Sequence, residues 1–162
     1  MEQTRPPNDC APDIAELFRY WTSIRPAGAL PSRQDMDPID IPNLLPNMWM
    51  VDAVGIPVRF RFRLVGTAIT SFTGRDNTGK WVDEVYDDFA NTGACRRMNL
   101  CLTTGVPLCQ RGNVISNPEY GDLEAERIYL PLASNGSTVD IIVIMTVYLR
   151  DRPILGNMTT SL

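Results

Sequence analysis

The stretch IIVIMTVYL, residues 141–149, is apolar on both sides of an extended strand. Side chains alternate between the two faces of a strand. This places Ile141 and Val143 on one side and Ile142 and Ile144 on the other. A strand with two apolar faces is buried from both sides. We therefore predict that this strand is central in its sheet or covered on both faces.

Other strands precede it along the chain. The patterns predict strands over residues 106–116, 125–133 and 138–150. The last two are joined by Ser134-Asn135-Gly136-Ser137, and Asn-Gly is a strong hairpin signal. A further hairpin is predicted from residues 49–55 and 58–65. The prediction is thus an antiparallel sheet of five strands.

Helices are predicted before the first hairpin, and between that hairpin and the last three strands. Residues 13–29 form an N-terminal helix in which Asp13 and Glu16 have the spacing of a capping box. Short helical elements follow over 68–72 and 81–86. A second long helix begins at Asp87 or Asp88 and ends at Gly105. The chain is therefore an α+β domain with helices on one face of the sheet and an extra N-terminal helix.

Several short segments of the chain form a specific combination. They are Tyr20-Trp21, Leu30-Pro31-Ser32-Arg33, Asp37-Pro38, Leu44-Leu45-Pro46, Arg61-Phe62-Arg63-Leu64-Val65-Gly66-Thr67 and Gly74-Arg75-Asp76-x-Thr78-Gly79. Together they resemble a family of short alphaproteobacterial PAS-like proteins, and the resemblance extends from residue 13 to about residue 150. It implies a PAS fold, in which the inner sheet face and its helices can enclose a small ligand and the N-terminal helix commonly mediates dimers.

The domain organisation follows from these elements. We predict a flexible tail over 1–12, the helix 13–29, a PAS-like sensory domain over 30–152 and a C-terminal tail over 153–162. The N-terminus lacks the pattern of a secretory signal, and no apolar run reaches the roughly 18 residues of a membrane span. We expect a cytoplasmic protein without membrane insertion. The net charge of −4 argues against nucleic-acid binding.

The chain has no histidine. Ser-His-Asp and Cys-His catalysis, haem with a proximal histidine and most zinc sites are therefore excluded. The four cysteines show no Cys-x-x-Cys spacing, and the flavin-binding Asn-Cys-Arg-Phe string is missing. We expect no cofactor, no metal and no enzymatic activity.

Two polar motifs have structural interpretations that we favour. Residues 74–80 match the phosphate-binding pattern G-x4-G-K, but Trp81 replaces the hydroxyl residue that binds magnesium. Asp35, Asp37 and Asp40 are interpreted as caps and turn residues, because Asp favours such positions. Neither motif predicts a catalytic site.

Arg59, Arg61 and Arg63 alternate with apolar residues along one strand. Guanidinium groups bind carboxylate and phosphate, so this face is a candidate anion site. The favoured interpretation is a charged edge strand, neutralised by acids such as Glu124 or Glu126. Arg63 remains the best candidate for an anion contact.

The candidate site residues follow from the predicted facing of the elements. A cavity between the sheet and the second long helix would have Phe62, Met98 and Leu102 among its walls. With these we place Arg63 and Trp81 in the ligand-binding set. Other aromatic residues, Trp49, Tyr86 and Tyr129, are interpreted mainly as core.

The N-terminal helix presents an apolar stripe that must be buried. Its members follow helical spacing: Ile14, Leu17, Phe18 and Trp21. We predict a homodimer with Leu17, Phe18 and Trp21 at the interface, although a helix that covers its own sheet also fits the pattern.

The function predicted from the sequence is a non-enzymatic sensory or regulatory module. It binds a small apolar or amphipathic ligand, or a protein partner that carries the output. Two alternatives remain open: an NTF2-like isomerase or hydratase with a buried carboxylate, and a ligand-free dimerisation scaffold.

Overall fold

The computed structural model describes residues 4–114 and 123–149 of the chain. The predicted C-terminal tail and the end of the predicted strand 106–116 lie outside these ranges.

Five antiparallel strands form one sheet in the order β2-β1-β5-β4-β3. The central strand is β5 (Ile141–Tyr148), as its two apolar faces predict. The remaining strands are β1 (Met48–Val54), β2 (Arg59–Val65), β3 (Leu108–Val114) and β4 (Leu123–Leu132). Both predicted hairpins, β1 with β2 and β4 with β5, are confirmed.

Four α-helices accompany the sheet in the described residues: α1 (Pro12–Ser23), α2 (Thr67–Thr73), α3 (Val82–Val85) and α4 (Gly93–Thr104). The predicted capping box of α1 is wrong, because Ala11 precedes the helix and no side chain caps it. The predicted start of α4 is also wrong. Asp88 leads instead into a 3₁₀ turn over Phe89–Asn91, and the Thr92 hydroxyl accepts the first hydrogen bond of α4.

The inner face of the sheet carries α4 and the shorter helices. Phe60 and Phe62 of β2, Ile142 and Ile144 of β5 and Tyr129 of β4 belong to one apolar cluster on this side, which α4 completes. The helix contributes Met98 and Cys101 to the same cluster.

The outer face is covered by α1 and by the connector that follows it. Helix α1 packs on β4 and β5, and its residues Ile14, Leu17 and Trp21 are buried among the outward side chains of these strands. The Trp21 indole N–H donates to the Pro131 carbonyl at 3.0 Å. The chain thus covers both faces of its sheet.

The residues just before α1 are bonded to the sheet. Arg111 of β3 donates to the carboxylate and the carbonyl of Asp9 at 2.9 and 2.8 Å. The buried carboxylate of Glu126 accepts from Arg111 and from the Ala11 amide. This part of the predicted tail 1–12 is therefore anchored. Within the described ranges, no helix combines the length and the apolar character that crossing a membrane requires.

Candidate functional site

The ligand-binding set predicted from the sequence does not come together in one place. Phe62 faces the inner side, as predicted, and Leu102 is half-buried in the same cluster. Arg63, next to Phe62 on β2, lies on the outer side, because side chains alternate along a strand. Trp81 lies at the edge of β2, where the guanidinium groups of Arg59 and Arg61 lie over its ring at 4.4 and 5.6 Å.

Met98, which the sequence analysis places beside a cavity, lies in the inner-face cluster. Its accessible surface is 0%. An internal cavity that holds a water molecule would expose part of the side chains in its wall. Met98 is thus enclosed by its neighbours here, and its place beside a ligand stays a prediction.

Tyr129 is a polar residue on the inner face. Its side chain is 0% exposed, and its hydroxyl has no hydrogen-bond partner among the described residues. The buried Gln110 Oε1 on the neighbouring strand β3 is also without a described partner. Gln110 opposes Arg127 in the register, and Arg127 and Tyr129 lie two residues apart on the same face of β4. Two unsatisfied polar atoms therefore occur on adjacent inner-face positions.

A polar network extends from these residues toward β1. The Thr146 hydroxyl of β5 accepts hydrogen bonds from the Trp49 indole N–H and from Arg127 Nε, both at 3.1 Å. Burial raises the pKa of the Tyr86 and Tyr148 hydroxyls, and the nearby Arg127 charge opposes that rise. Among the described residues, Arg127 has no carboxylate within ion-pair distance. The inner face thus carries a half-buried cation surrounded by hydroxyl groups.

The sequence over residues 11–146 matches the PAS domain family. The match covers most of the chain, and the strand order and the helix-covered inner face agree with it. This chain belongs to the PAS domain family.

A solved structure with a similar fold is titled "Structure of an RNA-binding Light-Oxygen-Voltage Receptor". It is 11% identical, the TM-score is 0.50, and the alignment covers 82% of this chain and 40% of the receptor chain. At that identity the likeness shows the fold alone. No curated protein matches the sequence.

The three arginines of β2 have different partners in this PAS domain. Arg59 donates to Asp83 at 2.8 and 2.7 Å and to Glu84 at 3.0 Å. Arg61 and Arg63 share one carboxylate, that of Asp52 on β1, at 3.5 and 3.0 Å.

The acids proposed from the sequence to neutralise this face were wrongly assigned. Glu126 lies on β4, two strands away from β1 in the sheet order, and it is paired with Arg111 of β3. Glu124 also lies on β4. A carboxylate on β1 or in α3 can be reached from β2, whereas one on β4 cannot.

The residues predicted for a dimer interface lie on the outer face. Leu17 and Trp21 are 0% and 1% exposed because they pack on the sheet of their own chain. Phe18 is half-buried, and its ring stacks on Trp21 with centroids 6.2 Å apart. Leu17 and Trp21 could contact a second copy only if α1 left its own sheet, so the homodimer stays a prediction.

The two polar motifs form turns. Asp35 accepts from the amide and hydroxyl of Ser32, and Asp37 accepts from the Ile39 amide as an N-cap. Residues 74–80 close against β2, where the Gly79 amide donates to the Phe62 carbonyl at 2.7 Å. Within the described residues, no three His, Cys, Asp or Glu side chains form a group that could hold a metal ion.

Sequence reasoning missed the polar residues of the inner face. Gln110, Arg127 and Thr146 stand singly in the sequence, and only strand pairing places them around Tyr129. One signal was available: Thr146 interrupts the apolar run of β5, and a polar residue in a buried strand needs hydrogen-bond partners.

Proposed function

We propose that this PAS domain is a non-enzymatic sensory module that binds a small amphipathic ligand on its inner sheet face. The polar head of the ligand bonds to Tyr129 and Gln110, and its apolar part packs between the sheet and α4. A partner protein then carries the output. Membership in the PAS family supports the sensory role.

The observation that carries the proposal is the hydroxyl of Tyr129. Leaving a buried donor or acceptor without a partner costs about 1–3 kcal/mol. Proteins seldom keep such groups, and each one calls for an explanation. A ligand head with both a donor and an acceptor, such as a hydroxyl or an amide, would satisfy the Gln110 Oε1 acceptor and the Tyr129 hydroxyl. Arg127 beside them can donate to an acceptor on the same head. Because Tyr129 and Met98 are fully covered, the ligand enters only when α4 moves from the sheet.

The fold also offers a route for the output. Tyr129 faces inward from β4, and the Pro131 carbonyl on the same strand accepts a hydrogen bond from Trp21 of α1. A ligand that shifts β4 by displacing Tyr129 therefore also shifts the surface on which α1 rests. The proposed response is a change in how α1 docks on the outer face, where a partner can detect it.

The alternatives have less support. The NTF2-like alternative needs a buried carboxylate that is free to act as a base. The buried carboxylate in the described residues is Glu126, which lies on the outer face and is held by Arg111 and the Ala11 amide. The scaffold alternative agrees with the covered Met98, but it leaves the Tyr129 hydroxyl unexplained.

The test compares Tyr129→Phe with Tyr20→Phe in the full chain. The Tyr20 hydroxyl accepts from the Asp37 amide at 2.8 Å, so its removal lowers the free energy of unfolding by about 1 kcal/mol. Removal of the Tyr129 hydroxyl leaves the stability of the ligand-free protein unchanged or raises it. Native mass spectrometry of the wild-type protein detects a bound small molecule, which Tyr129→Phe loses and Tyr20→Phe keeps.

Two results together would contradict the proposal. One is wild-type protein that carries no small molecule after mild purification. The other is a loss of stability in Tyr129→Phe equal to that in Tyr20→Phe, which would mean that the Tyr129 hydroxyl is bonded within the protein.

A further inference from the structure

A cleft on the outer face has a volume of about 480 Å³ and lies at the β2 edge of the sheet. Its floor is formed by β1, β2 and the start of β5, and its wall is the connector segment Ser32-Arg33-Gln34. We name it the arginine cleft, after Arg33, Arg61 and Arg63, which all line it. It is separate from the inner face that carries Tyr129.

The wall of the arginine cleft is anchored to the rest of the fold. The Leu30 amide donates to the Gly136 carbonyl at 2.8 Å, and the Ala133 amide donates to the Pro31 carbonyl at 2.9 Å. Arg33 itself donates to the Met36 carbonyl at 2.8 Å. The connector is thus held opposite β2, and Arg61 and Arg63 line a concave space where an exposed strand face was expected.

The charge in the cleft is positive, in a chain whose net charge is −4. Three guanidinium groups line it together with two carboxylates, Asp52 and Asp140. Asp52 is shared between Arg61 and Arg63, and Arg33 bonds only a neutral carbonyl. Each guanidinium has five N–H donors, and the contacts with Asp52 and with the Met36 carbonyl use only a few of them. Arg59, by contrast, is bound by two carboxylates of its own.

The register fixes how the charges are arranged across the floor. Arg61 pairs with Asp52, and Asp52 pairs with Ile141 on the other side. Neighbouring strands lie about 4.8 Å apart, so the arginine end and the β5 end are about 10 Å apart. At the β5 end the cleft has the carboxylate of Asp140 and the hydroxyl of Ser134. These groups accept hydrogen bonds.

We propose that the arginine cleft binds a small molecule that has an oxyanion at one end and hydroxyl or amino groups at the other. Guanidinium groups bind carboxylate and phosphate with paired hydrogen bonds, and they hold the oxyanion over β2. Asp140 and Ser134 accept from the donors at the far end. The volume is within the range of sites for small ligands. This proposal does not depend on the ligand that we propose for the inner face.

The experiment titrates the ¹⁵N-labelled full chain with AMP, L-glutamate and inorganic phosphate at constant ionic strength. AMP supplies a phosphate with donors, glutamate a carboxylate with an ammonium, and phosphate the oxyanion alone. At least one of AMP and glutamate binds saturably with a dissociation constant below about 1 mM. Inorganic phosphate binds more weakly, because it cannot reach the β5 end of the cleft. The shifted amides are those of the connector, β1 and β2 around the cleft.

Variants locate the contact. Arg61→Gln with Arg63→Gln weakens binding about tenfold or more, because two charged hydrogen-bond donors are lost. The matched control is Arg59→Gln, on the same strand but outside the cleft, which leaves the affinity unchanged within about twofold. If the double variant does not fold, Arg63→Lys replaces it. Lysine keeps the charge but loses the planar fork, so the affinity still falls, and by more than in Arg59→Gln.

Several outcomes would overturn the proposal. They are the absence of saturable binding for both AMP and glutamate, an equal loss in Arg59→Gln, and amide shifts scattered over the surface. Binding of hexaglutamate peptide without binding of the small probes would also overturn it, since the cleft would then be a docking surface for an acidic protein segment.

Discussion

Replacing Trp21 tests whether α1 is an integral cover of the sheet. Its ring is 1% exposed and packs in the outer-face cluster, and its N–H donates to the Pro131 carbonyl at 3.0 Å. Replacing a buried Trp by Ala costs about 3–5 kcal/mol through lost burial and the cavity left behind. The unpaired carbonyl adds about 1 kcal/mol. Since domains of this size are stable by about 5–15 kcal/mol, Trp21→Ala should lose a large part of the total.

The assay is urea unfolding followed by far-ultraviolet circular dichroism, because the substitution removes a tryptophan and would alter the fluorescence. Trp21→Phe keeps most of the apolar burial and loses the hydrogen bond, so it should cost less than Trp21→Ala. Arg19→Ala, on the exposed side of the same helix, should change the free energy of unfolding by less than about 0.5 kcal/mol. A cost below about 1 kcal/mol for Trp21→Ala would refute the idea that α1 covers the sheet.

The same samples test the predicted homodimer when their mass in solution is measured by light scattering. Because Leu17 and Trp21 are already buried in their own chain, a dimer held by them requires the two copies to exchange α1. Trp21→Ala should then lower the mass as well as the stability. A full-length protein that is monomeric before any substitution would contradict the homodimer.

Three further predictions concern the pKa values and the packing. Burial raises the pKa of Cys101 and of Cys109 to about 12, above the ordinary 9.0, so the fold favours the neutral thiols. The free energy of unfolding should therefore fall as the pH rises through 9 toward 12. Ellman's reagent at pH 8 should modify these two cysteines only after the protein unfolds. Rapid modification of all four cysteines in the native protein would contradict this. Gly66→Ala should lower the free energy of unfolding by about 3 kcal/mol or more, because the added Cβ would overlap backbone carbonyl oxygens that cannot move away. An unchanged midpoint of urea unfolding would contradict this close packing. The hydrogen bonds from Arg59 lower the pKa of Asp83 below its ordinary value. An NMR titration of Arg59→Gln should therefore show a higher pKa for Asp83 than the wild-type protein has. An unchanged pKa would mean that the pair does not form in solution.

Much of the candidate site could not be derived from the chain by pattern alone. The facing of Phe62 followed from alternation, and the structure confirms it. The pattern does not decide whether a cavity lies beside Met98, because a helix with an apolar side packs equally well on a filled core. Arg63 was grouped with Phe62 although neighbouring residues of a strand face opposite sides, and the sheet places it in the arginine cleft on the outer face.

The elements and their order can be read from the sequence. Alternation along β2, the two apolar faces of β5, the Asn135-Gly136 turn and the Gly105 end of α4 are local patterns, and local sterics and burial suffice to predict them. Which polar groups meet depends on how the chain folds in three dimensions. Tyr129 and Gln110 on the inner face, and Arg33 and Asp52 in the arginine cleft, come together because strands distant in sequence pair with a fixed register, which no single segment encodes.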